Sequence, residues 1–135
     1  MHDNVATTRA IFEAFGRGDV SFILDRLADD VQWEYGVCAT KVPWYVNRVG
    51  RAGAGEFFAS LAAVEFKTFV PKAYLHDDAG DVVAVLIDSD YVVRATGKLV
   101  SYVDAVLLLR FDAQGRVSHF AHRVDLSQAA SALAA

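Results

Sequence analysis

Apolar residues in the first part of the chain recur every three or four positions, which is the spacing of an amphipathic helix. This pattern predicts a first helix that ends at Gly16 and a second, shorter helix that Asp19 caps. A third helix is predicted over Gly53–Val64, where Phe57 and Phe58 lie on the buried side. The first half of the chain therefore contains three predicted helices.

Strand patterns fill most of the remaining chain. Before the third helix, Val31–Tyr35 alternates apolar and polar residues, so Trp33 and Tyr35 are expected on one face. After it the period is two, and four longer strands are predicted, Phe66–His76, Val82–Ala95, Leu99–Asp112 and Arg116–Leu126. An alanine-rich tail helix follows, with Ser127 as its cap and Asp125 as a structural residue before it.

The order of these elements indicates an α+β fold, because helices come first and hairpin-connected strands follow. Long strands form strongly twisted sheets that curl. We therefore expect a cone-shaped, mostly antiparallel sheet with the three helices packed on its concave face. A cone of this kind leaves a pocket between helices and sheet, where a small ligand can bind.

Composition narrows the class of protein. The chain has 135 residues, 54% of them hydrophobic, so residues 1–135 are expected to form one domain with a sizeable core. The net charge of −4 argues against nucleic acid or an anionic membrane as a partner. The apolar stretches are too short to cross a bilayer, and the start lacks a signal-peptide pattern. We expect a cytoplasmic protein in which the lone Cys38 excludes a disulfide framework and a cysteine-based zinc site.

Several short motifs carry a family resemblance. They are Gly-Arg-Gly-Asp at 16–19, Leu-Ala-Asp-Asp-Val-Gln-Trp-Glu at 27–34, Gly50-Arg51, Thr96-Gly97-Lys98, Gly115-Arg116-Val117 and Val124-Asp125-Leu126. Their order and spacing resemble the SnoaL-like branch of the nuclear-transport-factor-2-like superfamily over nearly the whole chain. Ketosteroid isomerases, limonene-epoxide hydrolases and polyketide cyclases belong to that superfamily. The resemblance implies the cone fold and a homodimer in which two sheets pair back to back.

The resemblance does not carry a known reaction with it. The three catalytic positions of ketosteroid isomerases fall on Ile11, Tyr35 and Leu107, so that activity is not expected. The catalytic Asp of limonene-epoxide hydrolases and polyketide cyclases falls on His122. One fold hosts many chemistries, and the residues of the site must decide among them.

His122 is the best candidate for a catalytic acid or base. It alternates with Phe120 and Val124 on one face of a strand, and both neighbours are apolar, so this face is expected to line the pocket. An imidazole there could serve as a neutral base or donor. The alternative is a core histidine bonded to the backbone or to a tyrosine. Tyr35 is expected either to donate a hydrogen bond to a ligand carbonyl and orient His122, or to fill the core.

Carboxylates within the long strands have two interpretations. Asp88 and Asp90 share a face, and Asp90 could be a second catalytic group if that face were buried. If the face is solvated, the two are surface charges and Tyr91 points into the cone. Alternation places Asp104 with Tyr102 on the outer face, where an ion pair or a dimer contact is expected.

The other expected pocket residues are aromatic or aliphatic: Trp33, Trp44, Tyr45, Phe58, Tyr91, Leu107, Phe120 and Val124. Trp44 and Tyr45 belong to the long connection 36–52, which could act as a flap. No metal or cofactor is expected, since His119 and His122 face opposite sides. The leading hypothesis is a cofactor-free isomerase, cyclase or dehydratase acting on a small apolar carbonyl or polyketide-like compound. A module that binds a hydrophobic ligand without chemistry, or a dimeric interaction domain, is the alternative.

Overall fold

The computed structural model describes residues 2–36 and 40–134. The helices are α1 (Asn4–Gly16), α2 (Val20–Asp25), α3 (Gly50–Ser60) and α4 (Leu126–Leu133), with a 3₁₀ turn at Leu61–Ala63. The strands are β1 (Leu27–Trp33), β2 (Arg48–Val49), β3 (Val64–His76), β4 (Val82–Val93), β5 (Leu99–Phe111) and β6 (Val117–Arg123). The expected α+β architecture is confirmed, although α3 begins three residues earlier than predicted. Cys38 lies outside the described residues.

One six-stranded curled sheet forms the body of the fold, in the order β2-β1-β6-β5-β4-β3. All neighbouring pairs are antiparallel except β1 and β6, which run parallel and place Trp33 opposite Phe120. The C-terminal end of β1, at Trp33, therefore lies beside the middle of β6, at Phe120. This pairing brings residues separated by almost ninety positions together at the site.

The concave face of the sheet carries most of the core. Along β4 buried and half-buried residues alternate strictly, and the buried set includes Ile87, Ser89 and Tyr91. Asp88 and Asp90 consequently lie on the outer face. The helices α1 and α3 contact the sheet, and their buried faces include Phe12 and Phe57. In the described part of the chain, no helix combines the length and the apolar character that a membrane span requires.

Aspartates cap three of the helices, Asp3 at α1, Asp19 at α2 and Asp125 at α4, of which the sequence pattern predicted the cap at Asp19. Asp19 caps α2, where its carboxylate accepts the Phe22 N–H. At α4 the cap is Asp125 rather than Ser127, because the Asp125 carboxylate accepts both the backbone N–H and the hydroxyl of Ser127. Hydrogen bonds from Ser127 hold the pKa of Asp125 below its ordinary value. The predicted Ser127 cap is thus wrong by two positions.

A β-bulge in β5 changes which side chains face inward. Asp104 has a left-handed backbone, with φ 55°, and residues 103 and 104 together oppose one position of β4. Tyr102 therefore turns to the buried face, as do Leu107 and Leu109 on the other side of the bulge. The expected outward orientation of Tyr102 is wrong because alternation cannot continue through a bulge.

Candidate functional site

A cavity of about 70 Å³ lies between the helices and the concave face of the sheet. His122 lines it, and so do all eight of the side chains expected in the pocket: Trp33, Trp44, Tyr45, Phe58, Tyr91, Leu107, Phe120 and Val124. The wall is mostly apolar. Its polar atoms belong to His122, Ser89, two tryptophans and three tyrosines.

Glu34 is the partner of His122. The carboxylate is fully buried, its Oε1 accepts the backbone N–H of His122 at 2.9 Å, and the same oxygen contacts Nδ1 of the imidazole. The backbone N–H of Glu34 donates to the carbonyl oxygen of Phe120 at 2.7 Å. These bonds connect the segment after β1 to β6, so the carboxylate is held against Nδ1 of the imidazole.

The Glu34–His122 pair has the geometry of an oriented acid–base group. Because the carboxylate occupies Nδ1, the other ring nitrogen, Nε2, is left for a ligand. The His122 side chain is only 13% exposed, and the rings of Tyr45, Phe57 and Phe120 surround it at centroid distances of 5.2, 5.4 and 4.9 Å. A carboxylate in this position stabilises the positive charge that the ring gains when Nε2 takes up a proton.

Glu34 reaches the site because of its backbone conformation. Its φ is 56°, in the left-handed region that non-glycine residues rarely adopt. This left-handed residue interrupts the alternation of the chain directly after β1, which ends at Trp33. Glu34 therefore turns inward and Tyr35 turns outward. Sequence alternation assigned the two residues the opposite orientations.

Tyr35 lies on the outer surface, not in the cavity, and the expected inward orientation is wrong. Its hydroxyl accepts a hydrogen bond from Nε of Arg110 at 3.2 Å. The Arg123 guanidinium lies 4.9 Å from the centre of its ring, and the His119 ring is 5.0 Å away. Tyr35 belongs to a surface cluster and cannot contact a ligand of the cavity.

Asp90 also lies outside the cavity. It is on the outer face, where its carboxylate accepts the hydroxyl of Ser101 at 2.5 Å. On the same face Lys72 pairs with Asp88 at 2.9 Å and also with Asp104. Hydrogen bonding to Lys72 holds the pKa of Asp88 below its ordinary value. The solvated interpretation of these carboxylates is correct, and so is the expected ion pair of Asp104.

A cluster of aromatic donors forms the second polar region of the wall. The indole N–H of Trp44 donates to the Tyr91 hydroxyl at 3.1 Å, and the Tyr45 hydroxyl lies 3.4 Å from those of Tyr91 and Tyr102. Tyr102 donates to the backbone oxygen of Asp125 at 3.2 Å. Burial raises the pKa of Tyr45 and of Tyr102 well above the ordinary value of 10.0. These two phenols therefore stay protonated at neutral pH.

An open groove between α1 and β3 adjoins the cavity. Four phenylalanines line both spaces, Phe12, Phe15, Phe66 and Phe69. At the rim of the groove, the Arg9 guanidinium lies 4.3 Å from the ring centre of Tyr74. The four rings form a partition between groove and cavity. In residues 2–36 and 40–134, no group of three or more His, Cys, Asp or Glu side chains is placed to hold a metal ion.

The sequence pattern did not predict two residues of the site, Glu34 and Tyr102. Each was assigned to the wrong face because a left-handed residue interrupts the alternation of its strand. One signal was present for Glu34, since Gly36 and a long connection follow it, and alternation is unreliable past the end of a strand. For Tyr102 the only signal was Asp104, a polar residue inside a long apolar run.

Comparison with known protein families identifies the family of this chain. The model of the SnoaL-like domain matches residues 8–120. The chain therefore belongs to the SnoaL-like domain family, as the motif resemblance suggested. None of the curated proteins matches the sequence at a significant level.

Solved structures share the fold at low sequence identity. An NTF2-like protein of unknown function from Burkholderia pseudomallei is 23% identical, with a TM-score of 0.78 and complete coverage of both chains. A Mycobacterium tuberculosis protein in complex with estradiol-17beta-hemisuccinate is 17% identical, with a TM-score of 0.76, covering 95% of this chain and 98% of that one. TerC, co-crystallised with polyporic acid, is 20% identical, with a TM-score of 0.73 and coverages of 97% and 98%. At these identities the similarity establishes the fold alone.

Proposed function

We propose that this protein is a cofactor-free enzyme that moves protons on a small, largely apolar carbonyl compound bound in the cavity. The observation that carries the proposal is His122 in the cavity wall, with the buried Glu34 carboxylate bonded to it from behind the wall. A proton transfer group positioned in this way contributes about 10²- to 10⁴-fold to a rate. That range suits an activated carbonyl compound such as a polyketide-like molecule.

The reaction class follows from the free nitrogen of the imidazole. Nε2 of His122 takes a proton from a carbon next to the carbonyl group, and the C–H electron pair forms a carbon–carbon double bond. The carbonyl oxygen becomes an enolate oxygen, and Glu34 compensates the positive charge on the ring. Return of the proton to another carbon completes an isomerisation. Alternatively, the enolate carbon attacks a second carbonyl carbon of the same molecule, and the C=O π pair moves to that oxygen. The alkoxide takes the proton back from Nε2, which completes a cyclisation.

Cavity size and the relatives support a small hydrophobic ligand. The volume of about 70 Å³ is below the roughly 150 Å³ of an engineered cavity that holds benzene. A ligand with one ring therefore needs the wall residues to move outward. Three members of the partition, Phe15, Phe66 and Phe69, are only half-buried and are suited to such a movement. Related structures hold an estradiol ester and polyporic acid.

Hydrogen–deuterium exchange tests the proposal without the natural substrate. Cyclohex-2-enone in D₂O, followed by proton NMR, reports any group that removes protons next to the carbonyl. We expect the protein to accelerate the exchange and His122→Gln to lower the acceleration at least about 10²-fold. His119→Gln is the matched control, since His119 lies on the same strand but contacts Tyr35 on the outer surface. Equal exchange rates in the two variants would overturn the proposal.

The second candidate is a module that binds the same ligand without chemistry. It is favoured by one observation, namely that histidine stands where the family's catalytic carboxylate is expected. Binding of cyclohex-2-enone in the cavity, without exchange above that of His122→Gln, would favour this candidate.

We also propose a cytoplasmic homodimer that pairs through the outer face of the sheet. Exposed apolar side chains on that face support this assembly, namely Val70, Leu75, Leu99 and Val103. Two copies that pack these faces together would cover the patch by a symmetric interface. The negative net charge and the single cysteine are compatible with a cytoplasmic location.

A further inference from the structure

The cluster of aromatic donors contains three phenols, those of Tyr45, Tyr91 and Tyr102. Each phenol has one proton to donate. Tyr102 donates its proton to the Asp125 carbonyl oxygen, and Tyr45 donates to the Tyr102 oxygen. Trp44 donates into the Tyr91 oxygen. In the described part of the chain, the Tyr91 hydroxyl is then left to donate across its contact with the Tyr45 oxygen.

That remaining contact is poor. The Tyr91 and Tyr45 oxygens are 3.4 Å apart, whereas a hydroxyl-to-oxygen bond is typically about 2.7–2.8 Å long. Tyr91 lies in the cavity wall, and its oxygen already receives the Trp44 N–H. A hydroxyl whose oxygen accepts a hydrogen bond becomes a better donor through its own proton. Tyr91 therefore has an under-used, polarised donor at the cavity.

The other candidate donor is the indole of Trp33. Its Nε1 is buried and has no hydrogen-bond partner in the described part of the chain. It is packed among the rings of Phe57, Phe58 and Phe120, at centroid distances of 5.3, 5.7 and 4.3 Å. Aromatic faces can accept an N–H weakly, so the Trp33 donor has a partial partner in these rings. Trp33 also differs from Tyr91 in that no hydrogen bond polarises its donor, whereas the Tyr91 oxygen accepts the Trp44 N–H.

Charge limits the ligand further. Among the described residues that line the cavity there is no Lys, Arg, Asp or Glu. An anionic ligand would lose its hydration without gaining a cation, which is costly in an apolar space. The ligand that this wall matches is neutral, mostly hydrocarbon, and carries an oxygen that accepts a hydrogen bond.

We propose that Tyr91 binds the oxygen of a neutral, single-ring ketone or enone and is the residue that makes the cavity specific for this class. The inference rests on the proposed function for the location of the ligand, in the cavity that His122 lines. It adds a second anchor. Tyr91 would hold the oxygen on which charge develops while His122 handles the proton.

Binding of a matched pair of probes tests this assignment without turnover. Cyclohex-2-enone labelled with ¹³C at the carbonyl is compared with 3-methylcyclohexene, in which a methyl group replaces the oxygen. We expect the bound carbonyl ¹³C signal to move downfield from its position in hydrocarbon solvent. In Tyr91→Phe this shift should disappear and the enone affinity should fall about tenfold, while the hydrocarbon affinity changes less than about twofold.

Further variants separate the possible anchors. Tyr74→Phe is the matched control, since this tyrosine lies on the neighbouring strand β3 and lines the outer groove rather than the cavity. Trp44→Phe removes the N–H that polarises Tyr91 and should lower the enone affinity about threefold. Thermal unfolding of each variant shows whether it folds. Because Trp44→Phe leaves the Tyr91 ring in place, the assignment stays testable even if Tyr91→Phe fails to fold.

The outcomes distinguish this inference from the proposed function. A downfield shift that survives in Tyr91→Phe but is lost in Tyr45→Phe, Trp33→Phe or His122→Gln would overturn the assignment to Tyr91. Failure of the protein to bind the enone more tightly than the hydrocarbon would overturn the ligand class. A Tyr91-dependent shift combined with equal proton exchange in His122→Gln and His119→Gln would support Tyr91 and overturn only the catalytic role of His122.

Discussion

At the scale of single residues, Glu34 is the buried partner of the histidine in the cavity wall. It is a fully buried carboxylate whose Oε1 contacts both the backbone N–H and Nδ1 of His122, while Oε2 has no partner in the described residues. Buried carboxylates are rare without a paired group, and here that group is the imidazole. The Glu34 carboxylate is therefore placed to stabilise a protonated His122 ring, and it has no other side-chain partner in the described residues.

Removing that charge while keeping the hydrogen bonds should separate orientation from electrostatics. Glu34→Gln retains an oxygen at the position of Oε1 but cannot offset the charge on the ring. We expect proton exchange on cyclohex-2-enone to fall about 10²-fold and enone affinity to change less than threefold. Tyr35→Phe is the adjacent control and should leave both unchanged, since Tyr35 contacts only surface groups. An effect of Tyr35→Phe as large as that of Glu34→Gln would contradict the site described here.

Tyr45 should make the fold sensitive to alkaline pH. Burial raises its pKa in the folded protein well above the ordinary value of 10.0, so above pH 10 the unfolded chain releases the phenol proton while the folded protein keeps it. Stability is then fully present below pH 10 and is lost as pH rises toward the folded pKa. The expected loss is about 1.4 kcal/mol per pH unit for each such tyrosine.

Chemical unfolding between pH 9 and pH 11 measures this dependence. Tyr45→Phe should show a shallower decline in the free energy of unfolding above pH 10, because one of the phenols is gone. Tyr74→Phe provides a comparison at a less buried phenol, whose pKa is also raised by burial. Identical slopes in the native protein and Tyr45→Phe would show that Tyr45 ionises freely in the folded state.

At the scale of elements, two residues with a left-handed backbone determine which side chains reach the cavity region. The left-handed residue Glu34 follows β1, and the left-handed residue Asp104 forms the bulge in β5. The first turns a carboxylate inward beside His122, and the second turns Tyr102 into the aromatic cluster. Regular alternation would have placed both side chains on the outer surface.

The bulge should tolerate only residues that accept a left-handed backbone. Asp104→Val and Asp104→Asn both remove the ion pair with Lys72. Asparagine keeps an acceptor for Lys72, but a hydrogen bond at this exposed position contributes little, so the difference between the variants mainly reports the backbone requirement. Asparagine adopts φ near 55° with little strain, whereas a β-branched side chain does not. We expect urea unfolding to show the valine variant about 1–2 kcal/mol less stable than the asparagine variant. Equal stabilities would indicate that the strand re-registers without the bulge.

At the scale of the whole molecule, the two faces of the sheet differ in character. Its concave face encloses the cavity. Its outer face carries Val70 and Val103, which are 50% and 75% exposed, respectively. The ion pairs of Lys72 with Asp88 and Asp104 lie on the same outer face. Apolar residues beside satisfied charges are typical of an interface that must also be compatible with water.

A charge placed on the outer face should dissociate the proposed dimer. Val103→Lys would bring a second ammonium group into the interface, near Lys72. We expect sedimentation velocity to show a dimer for the native protein and a monomer for this variant. Val49→Lys is the control, since Val49 is also well exposed but lies on β2 at the far edge of the sheet. A native protein that sediments as a monomer at all concentrations would contradict the assembly.

The sequence by itself determined the order of the helices and the longer strands, the curled α+β sheet, the family, and eight side chains that line the cavity, because periodicity and turn chemistry act locally. His122 was found for the same reason, since Phe120 and Val124 flank it on a regular strand. Only the tertiary structure decided that Glu34 rather than Tyr35 meets His122, that Tyr102 joins the aromatic cluster, and that Asp90 lies outside. Two left-handed residues set those orientations, and they are stabilised by contacts between distant strands that no local pattern contains.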